Sequence, residues 1–378
     1  MTRRLLLSCA EASGDLYAGA LTRELRQLEP DLEIAGLGGS HFEAAGGRLI
    51  ADYHGIAVTG LTEAIAKIPK SIATLRQLVG AARAERPDAL VVIDSPDFNL
   101  RLAPAVRRLG IPVIYYISPQ IWAWRRGRLA SIRAFAERVL VIFPFEEAIY
   151  RDAGIPVEFV GHPLIDLAKA STPRDVFLRG LGFVPDAKTI ALLPGSRPNE
   201  VARILPRLVE SVIRLGPFVQ FVVARAPNLE DRLFTEAYRL KYVQIVTGQA
   251  DNVLNAADVV LTASGTATVQ AALHDKPMVI VYRVSPLTYQ LGRRLVTVDA
   301  IGMVNLIAGE RIVPELVQHA FTPDAVARET RSMLDDSGRV ARIRQGLARV
   351  RAKLGGPGAS RRAADAILKV VHARRSPS

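Results

Sequence analysis

Cysteine is almost missing from this chain: Cys9 stands alone among 378 residues. An internal disulfide is impossible and a cysteine-based zinc site is excluded, which fits a reducing cytoplasm. Long apolar runs are missing too. The longest, such as VLVIF at 139–143, are strand-sized and fall far short of the roughly 18–20 residues of a membrane span. The opening Arg3-Arg4, Leu5–Leu7, Ser8-Cys9 faintly resembles a lipoprotein signal. Three leucines are too few for an h-region of about 7–15 apolar residues, so the segment reads as a first buried strand. Acids are nearly absent from the C-terminal tail, where residues 339–378 hold eleven Lys/Arg against Asp365. Several signatures are absent as well. There is no GxxxxGK[ST] loop, and GLGG at 36–39 misses the G-x-G-x-x-G fingerprint, which disfavours a kinase or a dehydrogenase. Six histidines (His41, His54, His162, His274, His319 and His372) show no ligand spacing, so no metal site is expected. His162, in a GHP turn, suits either a ligand cleft or a structural place. No G-x-S-x-G elbow marks a serine hydrolase.

What is present is a globular chain with 49% hydrophobic and 23% charged residues and a net charge of +12. Its length suits two domains at about 100–200 residues each. Strands are expected near 4–9, 32–37, 89–94, 112–117, 138–143 and 157–160, then 189–193, 218–224, 243–247, 258–262 and 278–282. Helical patterns separate them, among them 14–28, 71–84, 200–214, 229–239 and 265–274. Apolar strands alternating with helices predict parallel sheets covered on both faces, in two doubly wound, Rossmann-like α/β domains. The Pro/Gly-rich stretch 161–187 reads as the linker, and after 310 strands give way to helices at 323–335, 338–353 and 360–374. The expected domains are 1–165, 166–340 and a basic helical tail, 341–378, packing back on the first. Charge of this kind suits anionic partners, or simply a solvated helix face. Over 61–79, Leu61, Ile65, Ile68, Ile72, Leu75 and Val79 form an apolar stripe with Lys67, Lys70 and Arg76 off it. Such a stripe packs on its own core or meets a membrane surface.

Two segments of the second half carry phosphate chemistry. In LLPGSRPNEV (192–201) a strand turns through Gly195 and Ser196 into Arg197 and a helix; in LTASGTATVQ (261–270), Ser264, Gly265 and Thr266 open another. Backbone N–H groups at such helix starts bind phosphate, and an arginine clamps its oxygens. Gln270, one turn on, can hydrogen-bond a sugar hydroxyl. The first half offers carboxylates instead: Asp94 in IDSPDFN ends a strand, where open α/β sheets place ligands, and Glu11 in CAEASGD ends another. Asp94 can take a proton from an attacking hydroxyl; Asp97 reads as a helix cap, and Ser13 and Asp15 as helix-start residues. SPQIWAWRRGR (118–128) holds Trp122 and Arg125, types that stack on bases, sugars or lipid heads.

EASGD (11–15), IDSPDFN (93–99), YYISPQIWAWR (115–125), LPGSR-x-x-EV (193–201), ASGTAT (263–268) and NLIAG (305–309) occur in an order that resembles the lipid-A-disaccharide synthases, over nearly the whole chain. The resemblance implies an inverting GT-B glycosyltransferase of lipid A biosynthesis, with two Rossmann-like domains facing a cleft and C-terminal helices crossing back. It implies transfer from UDP-2,3-diacylglucosamine to 2,3-diacylglucosamine 1-phosphate (lipid X), giving a β-1,6 disaccharide and UDP without metal or other cofactor. It further implies Asp94 as the base, Arg197 on the departing diphosphate and Glu11 positioning a sugar, these three being the catalytic set. Ser13, Asn305, Trp122 and Arg125 would bind substrate. Gly195, Ser196, Arg197, Ser264, Gly265, Thr266 and Gln270 would hold UDP. The resemblance also implies peripheral inner-membrane contact from the cytoplasm; no nucleic acid is expected as a partner, and whether the chain forms a homodimer stays open at this point. Two positions depart from the family pattern: Ala10 stands where glycine is common, and Gln270 where a glutamate usually grips the ribose. Weaker UDP binding is the expected result of the second. Other readings are another GT-B nucleotide-sugar enzyme, such as a UDP-sugar 2-epimerase, or a non-enzymatic nucleotide-sugar or RNA-binding protein.

Overall fold

The computed structural model describes residues 2–54, 56, 61–119, 127–284 and 300–373, with backbone alone for 61–67. The chain divides into two compact units, Met1–Ile165 with Leu354–Ser378, and Asp166–Lys353. Both are α/β units built on a parallel sheet.

In the first unit the strands are β1 (Arg4–Cys9), β2 (Glu33–Gly38), β3 (Arg48–Asp52), β4 (Ala89–Ile93), β5 (Val113–Tyr116), β6 (Ala136–Val141) and β7 (Val157–Phe159). Their order is β3-β2-β1-β4-β5-β6-β7. The runs ALVVI of β4 and VIYY of β5 are apolar on both faces and buried throughout, as a sheet covered by helices on both sides requires. Leu6, Val92, Leu102, Tyr115 and Val139 anchor the core. Helix Ala12–Leu28 lies close against the sheet: a Cβ at Gly14 would stand 3.1 Å from Cys9 Cβ, so a side chain there would require Cys9 to give by a few tenths of an ångström. The chain winds from β1 to β3 on one side and resumes at β4 on the other. That reversal makes the gap between β1 and β4 the topological switch point.

The second unit repeats the plan with β8 (Thr189–Leu193), β9 (Gln220–Arg225), β10 (Val243–Thr247), β11 (Val259–Ala263), β12 (Met278–Tyr282) and β13 (Glu315–Val317), in the order β10-β9-β8-β11-β12-β13. Its switch point lies between β8 and β11.

Two strands go beyond the sequence reading. β3 and β13 are short edge strands of half-buried residues, so neither has the apolar run that marks a covered strand. The tail also divides. Helix Ser337–Lys353 buries Ile343, Leu347 and Val350 within the second unit, whereas helix Ala359–Ala373 packs against Ala12–Leu28 in the first. Residues 341–353 therefore do not join the crossing-back tail. Three of their basic residues are paired locally: Arg351 and Arg344 with Asp275, and Arg349 with Glu310.

His162 sits where the chain leaves the first unit. Its N–H donates to Leu354 O at 2.9 Å, its Nδ1 accepts from Leu164 N at 3.2 Å, and its ring meets Tyr17 and Phe143. It is a structural residue. Burial lowers its pKa to about 3, against about 6.5 for an exposed imidazole. The unfolded chain therefore takes up the proton first, and stability present above pH 6.5 drains as pH falls toward 3. Between neutrality and pH 5 the loss is about 2 kcal/mol. Chemical denaturation of wild type and His162→Gln at pH 7.5 and 5 checks this: the variant loses less between the two pH values. Equal losses would reject the assignment.

Candidate active site

β1 and β4 pair with Cys9 opposite Ile93, so the residues just beyond them flank the first switch point. Glu11 follows β1 as the N-cap of helix Ala12–Leu28, half-buried, with extended φ of −146°. A carboxylate there is favoured by the helix dipole. Ser13 is half-buried in the first turn. Asp15 is 1% exposed. Its carboxylate accepts from Gly39 N at 2.7 Å, His41 N at 3.0 Å and Phe42 N at 3.1 Å, which ties down the loop after β2.

Asp94 follows β4, half-buried, with φ of 46°; Ser95 and Ile117 are also left-handed at 47° and 56°. Each such residue costs about 1–3 kcal/mol and persists only where its surroundings hold it. Here the holding groups are visible. The Asp94 carbonyl accepts from Asn99 Nδ2 at 2.7 Å and Tyr115 Oη at 3.0 Å, and Asn99 Oδ1 accepts from Ser8 Oγ at 2.8 Å. Ser95 Oγ accepts from Ala10 N at 3.2 Å. Groups of β1, β5 and helix Pro96–Arg107 thus clamp one turn. Burial, with the Asp94 charge added, pushes the Tyr115 phenol well above its ordinary pKa, so it stays a donor. In the sequence Asn99 and Tyr115 appear only as motif letters. Asp97, read as a cap, lies exposed in the helix's first turn and pairs with Arg128 at 2.9 Å. Trp122 and Arg125 lie outside the described residues.

In the second unit, the turns after β8 and β11 flank the other switch point. Gly195 has φ of +121°, and a Cβ there would stand 2.7 Å from Glu200 Oε2. Only glycine leaves this turn open. Ser196 is exposed, and Arg197 is the N-cap of helix Pro198–Leu215. The Arg197 guanidinium pairs with Glu200 at 3.0 Å. Glu200, present in the motif but unassigned in the sequence reading, orients the arginine. After β11, Ser264 Oγ donates to Ile301 O at 2.7 Å, Gly265 has φ of +135°, and Thr266 begins helix Thr266–Leu273. The backbone N–H groups that open a helix suit phosphate. Gln270 Nε2 donates to Asp251 Oδ1 at 3.1 Å.

Asn305 departs from expectation. It is 1% exposed. Its Nδ2 donates to Val313 O and Glu315 Oε1, and its Oδ1 accepts from Ile312 N and Val313 N. Both donors and both lone pairs are used, so its side chain orders the turn at 312–313 and the start of β13 rather than gripping a substrate. Glu315 in turn accepts from Ile301 N and Gly302 N, which holds the loop against Ser264. Among the described residues no cluster of His, Cys, Asp or Glu is placed to hold a metal ion.

A family model described as lipid-A-disaccharide synthetase matches residues 5–370. Lipid-A-disaccharide synthase of Myxococcus xanthus (strain DK1622) is 42% identical over 373 residues, covering 97% of each chain. That of Anaeromyxobacter dehalogenans (strain 2CP-C) is 43% identical over 380 residues, covering 98% of each. Among solved structures, UDP-GlcNAc 2-epimerase from Neisseria meningitidis bound to UDP-GlcNAc superposes with a TM-score of 0.68 at 14% identity, over 98% of this chain and all of that one. The calicheamicin glycosyltransferase CalG4 gives 0.63 at 16% identity over the full length of both. These two likenesses concern the fold.

Proposed function

The chain belongs to the lipid-A-disaccharide synthase family of glycosyltransferases, and from that premise we propose which substrates it joins and which residues act. The donor is UDP-2,3-diacylglucosamine and the acceptor the 6-hydroxyl of lipid X. Asp94 removes the hydroxyl proton as the oxygen attacks the anomeric carbon. The bond from that carbon to the UDP phosphate breaks, and its electron pair leaves on the diphosphate. Arg197 and the N–H groups of the turns at Gly195-Ser196 and Ser264–Thr266 meet the charge that develops there. Glu11 and Ser13 orient a sugar.

One observation carries this reading. Each sheet presents its chemistry at its own switch point, carboxylates after β1 and β4 and phosphate turns after β8 and β11. Direct displacement inverts the anomeric centre, so the product disaccharide is β-linked. An α-linked product would exclude the single displacement.

A membrane surface supplies both lipids. Among the described residues no helix is long and apolar enough to cross a membrane. On helix Leu61–Glu85, Leu75 and Val79 pack on the core, but Ile68 and Ile72 are 44% and 37% exposed. That exposed pair supports peripheral contact. Paired Ile68→Glu and Ile72→Glu substitutions are expected to cut co-sedimentation with anionic phospholipid vesicles several-fold; unchanged sedimentation would remove this face from the contact.

A further inference from the structure

Gln270 has company that its position in the sequence does not announce. The oxygen of Asp251 that receives Gln270 Nε2 at 3.1 Å also lies 2.9 Å from His274 Nε2. Gln270 and His274 are four residues apart at the end of one helix and so share a face. Asp251 lies in the first turn of helix Ala250–Ala256. Its neighbour Asn252 is fixed there by Ser171 N at 2.8 Å, Thr172 N at 3.1 Å and Gln249 Oε1 at 2.9 Å. The His274 side chain is 8% and that of Asp251 25% exposed, so the histidine backs a carboxylate that is itself partly covered.

An ionised carboxylate only accepts hydrogen bonds. The Gln270 NH2 group must therefore face Asp251, and its carbonyl oxygen is left as the group to offer a ligand. The same logic puts the His274 proton on Nε2. We propose that Asp251 is a positioning residue for nucleotide binding: backed by His274, it turns the Gln270 carbonyl toward a ribose hydroxyl. The inference rests on the reading of this unit as the UDP site. Gln270 lies one helical turn beyond Thr266 on the same face, a spacing that matches a ribose joined to a phosphate at the helix start. The negative charge that a glutamate at 270 would carry stands instead one side chain behind, on Asp251. A glutamate at 270 beside Asp251 would bring two carboxylates together, which disfavours ionising both. Gln270 and Asp251 thus form a matched pair.

Calorimetric binding of UDP, 2′-deoxy-UDP and 3′-deoxy-UDP tests this. Wild type is expected to bind one deoxy analogue about tenfold more weakly than UDP, the value of one good hydrogen bond. In Asp251→Ala that preference falls to about unity, while UDP itself weakens by a similar factor. Gln270→Glu alone weakens UDP, and the double variant Gln270→Glu with Asp251→Asn recovers most of the loss. A purely structural Asp251 would move affinity for all three ligands together and leave the preference intact; that result overturns the proposal. So would a wild type indifferent to both hydroxyls, or a double variant no better than Gln270→Glu. Wild type that binds no UDP at all would instead overturn the assignment of this unit to the nucleotide.

Discussion

Asp94→Asn is expected to lower turnover by about 10²–10⁴-fold, the usual worth of a positioned base, with UDP affinity within about twofold of wild type. The backbone turn at this position is expected to tolerate the substitution. The clamp made by Asn99 and Tyr115 grips the residue 94 carbonyl, not its side chain, so it survives the change. Residue 94 is left-handed at 46°, a conformation that asparagine adopts as readily as aspartate. The backbone turn is therefore kept while the ability to take a proton is lost. Steady-state kinetics with both lipids, alongside thermal unfolding, provides the check. Near-normal turnover in a folded variant would remove Asp94 as the base.

The second large effect is expected at Arg197. Arg197→Ala should reduce turnover by about 10²–10³-fold, the scale for losing one donor to a developing charge, and weaken UDP by about tenfold or more. Glu200 adds to the loss. In the wild type its carboxylate lies 3.0 Å from the guanidinium; without the arginine an unmatched negative charge would stand beside the diphosphate. Arg197→Lys should fall between, because a lysine keeps the charge but not the planar fork. UDP calorimetry with single-turnover kinetics separates the two effects. A variant unchanged in both would take Arg197 out of the site.

The parts of the fold that could be read from sequence were those whose physics is local. Covered strands such as ALVVI (89–93) and VVLTA (259–263) announce themselves as apolar runs, and the residues just past their ends mark the carboxyl edge of each sheet. The two Rossmann-like units and the positions of Glu11, Asp94, Arg197 and Ser264–Thr266 beside the switch points come from those runs. β3 and β13 escaped because half-buried edge strands lack a run. The tail is legible as two helices but not as two destinations, since charge says nothing of which face is buried. Asn305 shows the limit most sharply. A polar residue in a motif looks the same whether it serves a ligand or a loop, and only its four hydrogen bonds decide for the loop. Gln270 is the converse: its departure from the family pattern was visible, but Asp251, nineteen residues earlier, comes beside it only through the packing of two helices.

The proposed reaction joins two acylated glucosamines with loss of UDP. Its most direct test incubates the purified protein with UDP-2,3-diacylglucosamine and lipid X in detergent, with EDTA present, and measures UDP and disaccharide together. Both products are expected in equal amounts. UDP released without disaccharide, or a donor left intact, would contradict it.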